Sequence, residues 1–142
     1  AKHAKELIDE LSDEQTKDLE LKIVTSPILL SSAEKIAKKW IELGIKTQVQ
    51  VTPVVPEEFQ AYLTIFDMPK DPDQYPLWHT TQKDSNITNY TSARIDSLLE
   101  EGRRQLDIEE RRKIYLDFQR FLLEDAPAAF LYHPTYYTIT RK

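Results

Sequence analysis

The residue types in this chain that could do chemistry gather in one stretch, Asp67-Met-Pro-Lys-Asp-Pro-Asp-Gln-Tyr-Pro-Leu-Trp-His79. Asp67, Asp71 and Asp73 are suited to acid-base work, to holding a cation, or to anchoring a ligand's ammonium group. Aspartate beside proline also serves simply to cap a turn or the next helix, and Asp73 can cap a short helix running through Leu77. Asp67 stands where a strand is expected to end, and ligands of open α/β sheets bind outside the carboxyl ends of strands. Spacings of three and four place Tyr75, Trp78 and His79 on one helical face, as pocket walls or as a small core beneath the loop. His79 has no metal-ligand spacing to His3 or His133. Ser85 and the aspartates offer no recognisable triad order. Proline fixes φ and removes backbone donors, so Pro69, Pro72 and Pro76 make the stretch a stiff, shaped rim.

The elements that must position this rim follow from periodicity. Ala4, Leu7, Ile8 and Leu11 lie at helical spacing, so residues 2–11 read as a short amphipathic helix. Residues 19–25 alternate as a strand. Ser31 or Ser32 can cap a following helix whose apolar stripe is Ala33, Ile36, Ala37, Trp40 and Ile41. Gly44 stands where that helix should end in the left-handed region. Residues 45–51 alternate again, with Ile45, Thr47, Val49 and Val51 on one face. Strand, helix and strand with short joints make a βαβ unit, so the two strands should pair in parallel.

Pro56-Glu-Glu-Phe-Gln60 reads as one helical turn, and residues 61–66 as a third strand feeding the rim. A helix over 92–105 should bury Ile95, Leu98, Leu99 and Leu106. Asp107-Ile-Glu-Glu110 has the form of a capping box and opens a helix to about Glu124, with a stripe of Ile114, Phe118, Phe121 and Leu122 and a Glu109 to Lys113 pair. Asp125-Ala-Pro127 ends it. Residues 129–132 and 136–140 read as two closing strands. Tyr132, Tyr136 and Tyr137 are then packing residues, and the charges around Arg103-Arg104 are solvated helix surface. The expected class is α/β, a mixed sheet flanked by helices, with 1–142 as a single domain.

Composition narrows the function. The chain has 142 residues, 40% hydrophobic and 30% charged, with no cysteine. That length allows burial of roughly two-thirds of the unfolded surface. Lacking cysteine, it can use neither thiol catalysis nor thiolate metal sites, and no cofactor is expected. A net charge of −5 speaks against nucleic acid as a partner. No apolar run reaches membrane-spanning length and no signal peptide is seen. With two isolated glycines, Gly44 and Gly102, there is no phosphate-cradling loop and no G-x-S-x-G elbow.

Several stretches in succession resemble a known family. Asp71-Pro-Asp-Gln-Tyr75 with Trp78-His79, Asn86-Ile-Thr-Asn-Tyr90, Arg94-Ile-Asp-Ser-Leu-Leu99, Asp107 through Tyr115, Glu124-Asp-Ala-Pro127 and Phe130-Leu-Tyr132 carry the likeness. In the first half, Leu19 through Thr25, Ala33 through Trp40 and Leu43-Gly-Ile45 agree. The order resembles extracellular solute-binding proteins of family 5, the peptide- and nickel-binding components of ABC importers.

The resemblance implies a fragment: the second lobe of a longer two-lobed protein of the type II periplasmic-binding-protein kind, without its signal and lipid anchor. It implies a binding function for oligopeptides or another small solute, and not an enzyme. It also implies a periplasmic or surface-anchored extracellular lipoprotein, monomeric, working with its own first lobe and with ABC permease subunits. In peptide-binding relatives an Asp for the peptide's amino terminus lies four residues before the proline matched by Pro72. This chain has Met68 there, with Asp67 one residue away and Asp71 three.

The expected ligand-binding residues are Phe66, Asp67, Met68, Asp71, Tyr75, Trp78 and His79. The two aspartates would supply negative potential, the aromatic side chains apolar walls, and a strand edge main-chain hydrogen bonds to an extended peptide. Prolines would lower the ordering cost of binding, and hinge closure would be the motion. The competing readings are a small hydrolase using Asp67, Asp71 and His79, and a protein-interaction module using the same rim.

Overall fold

The computed structural model describes residues 2–11, 19–66, 70–133, 135 and 138–141. The chain divides into two compact units, Ala1–Asp67 and Met68–Lys142. No helix among the described residues is long and apolar enough to cross a membrane.

The first unit is a three-stranded sheet with helices. After helix α1 (Lys2–Asp9), strands β1 (Glu20–Thr25), β2 (Lys46–Val51) and β3 (Ala61–Leu63) form a sheet in the order β2-β1-β3. Both pairings are parallel, Ile23 standing opposite Val49 on one side and Ala61 on the other. The parallel β1-β2 pair expected from the βαβ pattern is therefore present, and every described pairing in this sheet is parallel.

Between β1 and β2 runs helix α2 (Leu30–Glu42), entered through a 3-10 turn at Pro27–Leu29. Proline opens that turn, so the helix starts earlier than the Ser31 or Ser32 cap anticipates and has no side-chain cap. Ala33 and Ala37 are buried against Ile23, with Ile36, Trp40, Val49, Ala61 and Leu63 packed around them. Two alanines on the contact face let the helix lie close to the sheet.

Ile41, expected in the same stripe, is 56% exposed. At about 100° per residue it lies roughly a quarter-turn from the centre of the stripe. The helix ends in a Schellman arrangement, Gly44 N–H donating to Ile41 O at 2.9 Å and Ile45 N–H to Trp40 O at 3.0 Å. Gly44 takes φ +92°, which L side chains rarely adopt.

The second unit is helical. A single turn, α3 (Tyr75–Trp78), precedes α4 (Ala93–Arg104) and α5 (Ile108–Asp125). Ser92 caps α4 by accepting from Ile95 N–H, and Asp107 caps α5 by accepting from Glu110 N–H at 2.9 Å. Trp78, Ile95, Leu99, Tyr115, Phe118 and Leu122 form one core. Gly102 lets α5 approach: a Cβ there would stand 2.9 Å from the Tyr115 ring. Helix α5 closes on Ala126 in the left-handed region (φ 48°).

Several expectations are corrected. Leu106 is 93% exposed, because Gln105 turns extended and carries the chain off the α4 stripe. Pro56 through Gln60 form no helical turn; Phe59 instead sets its ring against Tyr62, centroids 5.4 Å apart. The third strand stops at Leu63. Residues 129–132 form no strand, and Phe130 turns its ring edge-on to Trp78. Of the stretch 136–140, the described residues 138–140 have no regular structure, and Tyr136 and Tyr137 lie outside the described residues. Lys113 pairs with Glu110 at 2.6 Å, one residue nearer than Glu109.

Candidate functional site

In the second unit the rim is tied down by charge. Asp71 Oδ1 accepts from Asp73 N–H at 2.8 Å, and Asp73 Oδ1 from Tyr75 N–H at 3.0 Å. Each aspartate thus organises the turn leading into α3, as aspartate beside proline does. Each also meets a guanidinium from a different helix. Arg111 of α5 reaches Asp71 at 2.9 Å, while Arg103 of α4 reaches Asp73 at 2.8 Å. The Arg111 hydrogen bond, and then the Asp73 N–H, hold the Asp71 carboxyl below its ordinary range. Asp73 in turn raises Arg103, and Asp71 raises Arg111.

An aromatic layer continues from these pairs. The Arg103 guanidinium lies 3.8 Å over the Tyr75 ring, and Tyr75 stacks on the His79 imidazole at 4.0 Å. Trp78 is 6% exposed, within the core formed with Ile95, Leu99 and Phe118. Asn86, buried, donates to Tyr90 O at 2.7 Å and accepts from the Thr88 hydroxyl at 3.0 Å. The Tyr90 hydroxyl bonds Asp125, which Arg94 also reaches at 3.3 Å. Burial first, and then Asp125, raise the Tyr90 hydroxyl above its ordinary value.

Of the seven candidate residues, the structure brings Asp71, Tyr75, Trp78 and His79 together here. Phe66 belongs to the first unit, and Asp67 and Met68 lie outside the described residues. Asp71 keeps 60% of its side chain exposed. Asp71 and Asp73 are each taken up by an arginine of their own. Among the described residues no group of three or more His, Cys, Asp or Glu side chains could hold a metal ion.

The partners Arg103 and Arg111 sit 30 and 40 residues from their aspartates, and sequence reasoning left Arg103 on solvated helix surface. No local spacing announces such pairs.

In the first unit, the sheet face away from Ile23 carries a concavity of about 840 Å³, lined by Glu20, Lys22, Gln48, Gln50, Phe59 and Gln60 among others. Gln60 Oε1 accepts from Lys22 N–H at 2.7 Å, fixing one wall. The alternating polar residues of β1 and β2 are the sequence signal for this open face.

No protein-family model and no curated protein sequence matches the chain. Solved structures do. NikZ from Campylobacter jejuni, in complex with Ni(L-His), is 25% identical with a TM-score of 0.66, over 77% of this chain and 25% of its own. The oligopeptide-binding protein AppA from Bacillus subtilis, in complex with a nonapeptide, is 20% identical with a TM-score of 0.78, over 89% of this chain and 30% of its own. The ABC transporter-associated periplasmic binding protein DppA from Helicobacter pylori, in complex with the peptide STSA, is 24% identical with a TM-score of 0.74, over 89% and 27%. The chain therefore spans between a quarter and a third of the length of these proteins. Sequence order and structural likeness agree: this chain has the fold of a segment of the family 5 peptide- and nickel-binding solute-binding proteins.

Proposed function

We propose that this chain is a substrate-binding lobe of an extracellular solute-binding protein that serves an ABC importer, and that its solute is an oligopeptide. The observation that carries this reading is the likeness to the nonapeptide complex of AppA over 89% of the chain. Its partners are then a first lobe of the same protein, which closes on the solute by hinge motion, and the importer's permease subunits. The protein works as a monomer in the periplasm or at the outer cell surface, held there as a lipoprotein. It binds without chemistry.

The rim supports the reading in a modified form. Asp71 and Asp73 each carry an arginine, so residues 70–79 present a nearly neutral, pre-shaped surface rather than an acidic one. Exposed Asp71 and half-buried Tyr75 are the rim groups proposed to face solute. Recognition there rests on shape and main-chain hydrogen bonds to an extended peptide, with little ordering cost.

The test is calorimetry of the full-length protein against peptides of graded length, with Ni(L-His) as an alternative ligand. Saturable peptide binding is expected, with the peptide recovered intact. Binding of Ni(L-His) and of no peptide would replace the oligopeptide reading. Release of cleaved peptide, abolished in Asp71→Asn, would replace the binding reading altogether.

A further inference from the structure

Parallel sheets are ordinarily covered on both faces, because the crossovers between their strands lay helices across them. In the first unit one face alone has such a helix. The crossover from β1 to β2 sets α2 against Ile23. The crossover from β2 to β3 runs the other way, across β1, so a right-handed connection passes over the opposite face. That connection is residues 52–60, which contain no helix. Where a crossover helix would lie, the sheet has its concavity of about 840 Å³ instead. Thr52, Pro56, Glu58 and Phe59 of the connection wall it, over a floor that includes buried Val24.

Part of the groove is fixed in place. Pairing between β1 and β3 begins only at Ile23. Gln60 stands in for the missing strand: its Oε1 accepts from Lys22 N–H at 2.7 Å, and its Nε2 donates to Glu20 O at 3.4 Å. The Gln48 amide donates to the Glu20 carboxylate. Phe59, half-buried, has its ring held against Tyr62. The Lys22 ammonium, the Gln50 amide and the Glu58 carboxylate are exposed and have no partner among the described residues.

These groups discriminate among occupants. An apolar helix laid over the face would take Lys22 and Glu58 out of water unpaired, at heavy cost. An anion would meet Glu20 and Glu58, and a cation would meet Lys22. A neutral molecule rich in hydroxyls suits all of them, because each hydroxyl both donates and accepts. The C–H face of a sugar ring also packs well on an aromatic wall such as Phe59.

We propose that this groove is a saccharide-binding site that takes a neutral mono- or disaccharide. Lys22, Gln50 and Glu58 hydrogen-bond its hydroxyls, and Phe59 supports a ring face. The space is of the size that small-molecule sites have. The inference concerns the first unit alone and stands whether or not the rim of the second unit binds peptide.

The experiment is calorimetry of the full-length protein with cellobiose, maltose and N,N′-diacetylchitobiose, for wild type, Gln50→Ala and Phe59→Leu. Circular dichroism checks that each variant is folded. Saturable binding of at least one sugar is expected, with a Kd of about 0.1–1 mM for so open a site. Gln50→Ala should weaken it about tenfold, as the loss of hydrogen bonds to one side chain does, and Phe59→Leu should weaken it as well. Should Phe59→Leu fail to fold, Gln50→Ala and the equally exposed Lys22→Ala decide. No binding of any of the three sugars, or binding that Gln50→Ala leaves unchanged, would overturn the proposal.

Discussion

The two units of this chain reach stability by different routes. The first unit buries a narrow strip: Ile23 under Ala33 and Ala37, edged by half-buried side chains. One face of its sheet packs against α2, and the other carries a groove lined by Glu20, Lys22, Gln48 and Gln50 together with Phe59 and buried Val24. The second unit buries large rings and branched side chains, with Trp78, Tyr115 and Phe118 in one cluster. Its surface is then cross-braced by arginine, over Tyr75 from α4 and onto Asp71 from α5. In the first unit the backbone ladder sets the geometry and side chains decorate it. In the second, side chains decide where each backbone segment lies.

If that contrast holds, truncating a core aromatic should cost most in the second unit. Trp78→Ala should lose about 3–5 kcal/mol in a denaturant melt. Trp40→Ala, half-buried on the sheet, should lose about 2 kcal/mol. Equal losses would erase the distinction.

The two glycines sharpen it. Gly102 is needed for room, since a Cβ would meet Tyr115 at 2.9 Å, whereas Gly44 has open space around it and a φ of +92°. Gly102→Ala should therefore cost about 1–3 kcal/mol by overpacking. The double variant Gly102→Ala/Tyr115→Leu should recover part of that loss. Gly44→Ala should cost about 1 kcal/mol from backbone strain alone, and no second-site truncation should relieve it.

A smaller effect lies in the charge braces. Asp71 has its carboxyl lowered by Arg111, so the stabilisation it gives is present above the ordinary carboxylate value of 3.8 and fades as pH falls through the lower folded value. The gap in thermal midpoint between wild type and Asp71→Asn should accordingly be constant from pH 7 to 5 and close in stronger acid. A gap that widened on acidification would contradict the pairing. Least of all, Ile41→Ser should stay within about 0.5 kcal/mol, as an exposed substitution does.

Much of this was legible in the sequence. Alternation in residues 19–25 and 45–51 with a helix between them pointed to the parallel pair, and the 3.6-residue stripes to α4 and α5 with Ile95, Leu99, Phe118 and Leu122 inside. Asp107 announced its cap, whereas Ser92, read as the first residue of its helix, is in fact the cap. Misreadings arose where tertiary partners overrule local pattern. Leu106 fits the α4 stripe by spacing, but the backbone leaves the helix at Gln105. Residues 129–132 have strand composition, yet Phe130 finds Trp78 instead of a neighbouring strand. At the candidate site, the turn-forming roles of Asp71 and Asp73 could be read from their proline neighbours. Their arginines could not, because a pair 30 or 40 residues apart has no signature in one sequence.

The register of the sheet has a consequence in time rather than in space. Its central strand must find β3 across a long interval, as the bond from the Thr25 hydroxyl to Leu63 O across 38 residues shows. The α4-α5 hairpin is closed by the short link from Arg104 to Ile108. Local closure is fast and distant parallel pairing slow. Newly made chain should therefore protect the amides of α4 and α5 from hydrogen exchange first. Meanwhile β1 waits with its edges bare, the interval in which the chain is most exposed to pairing with another copy of itself.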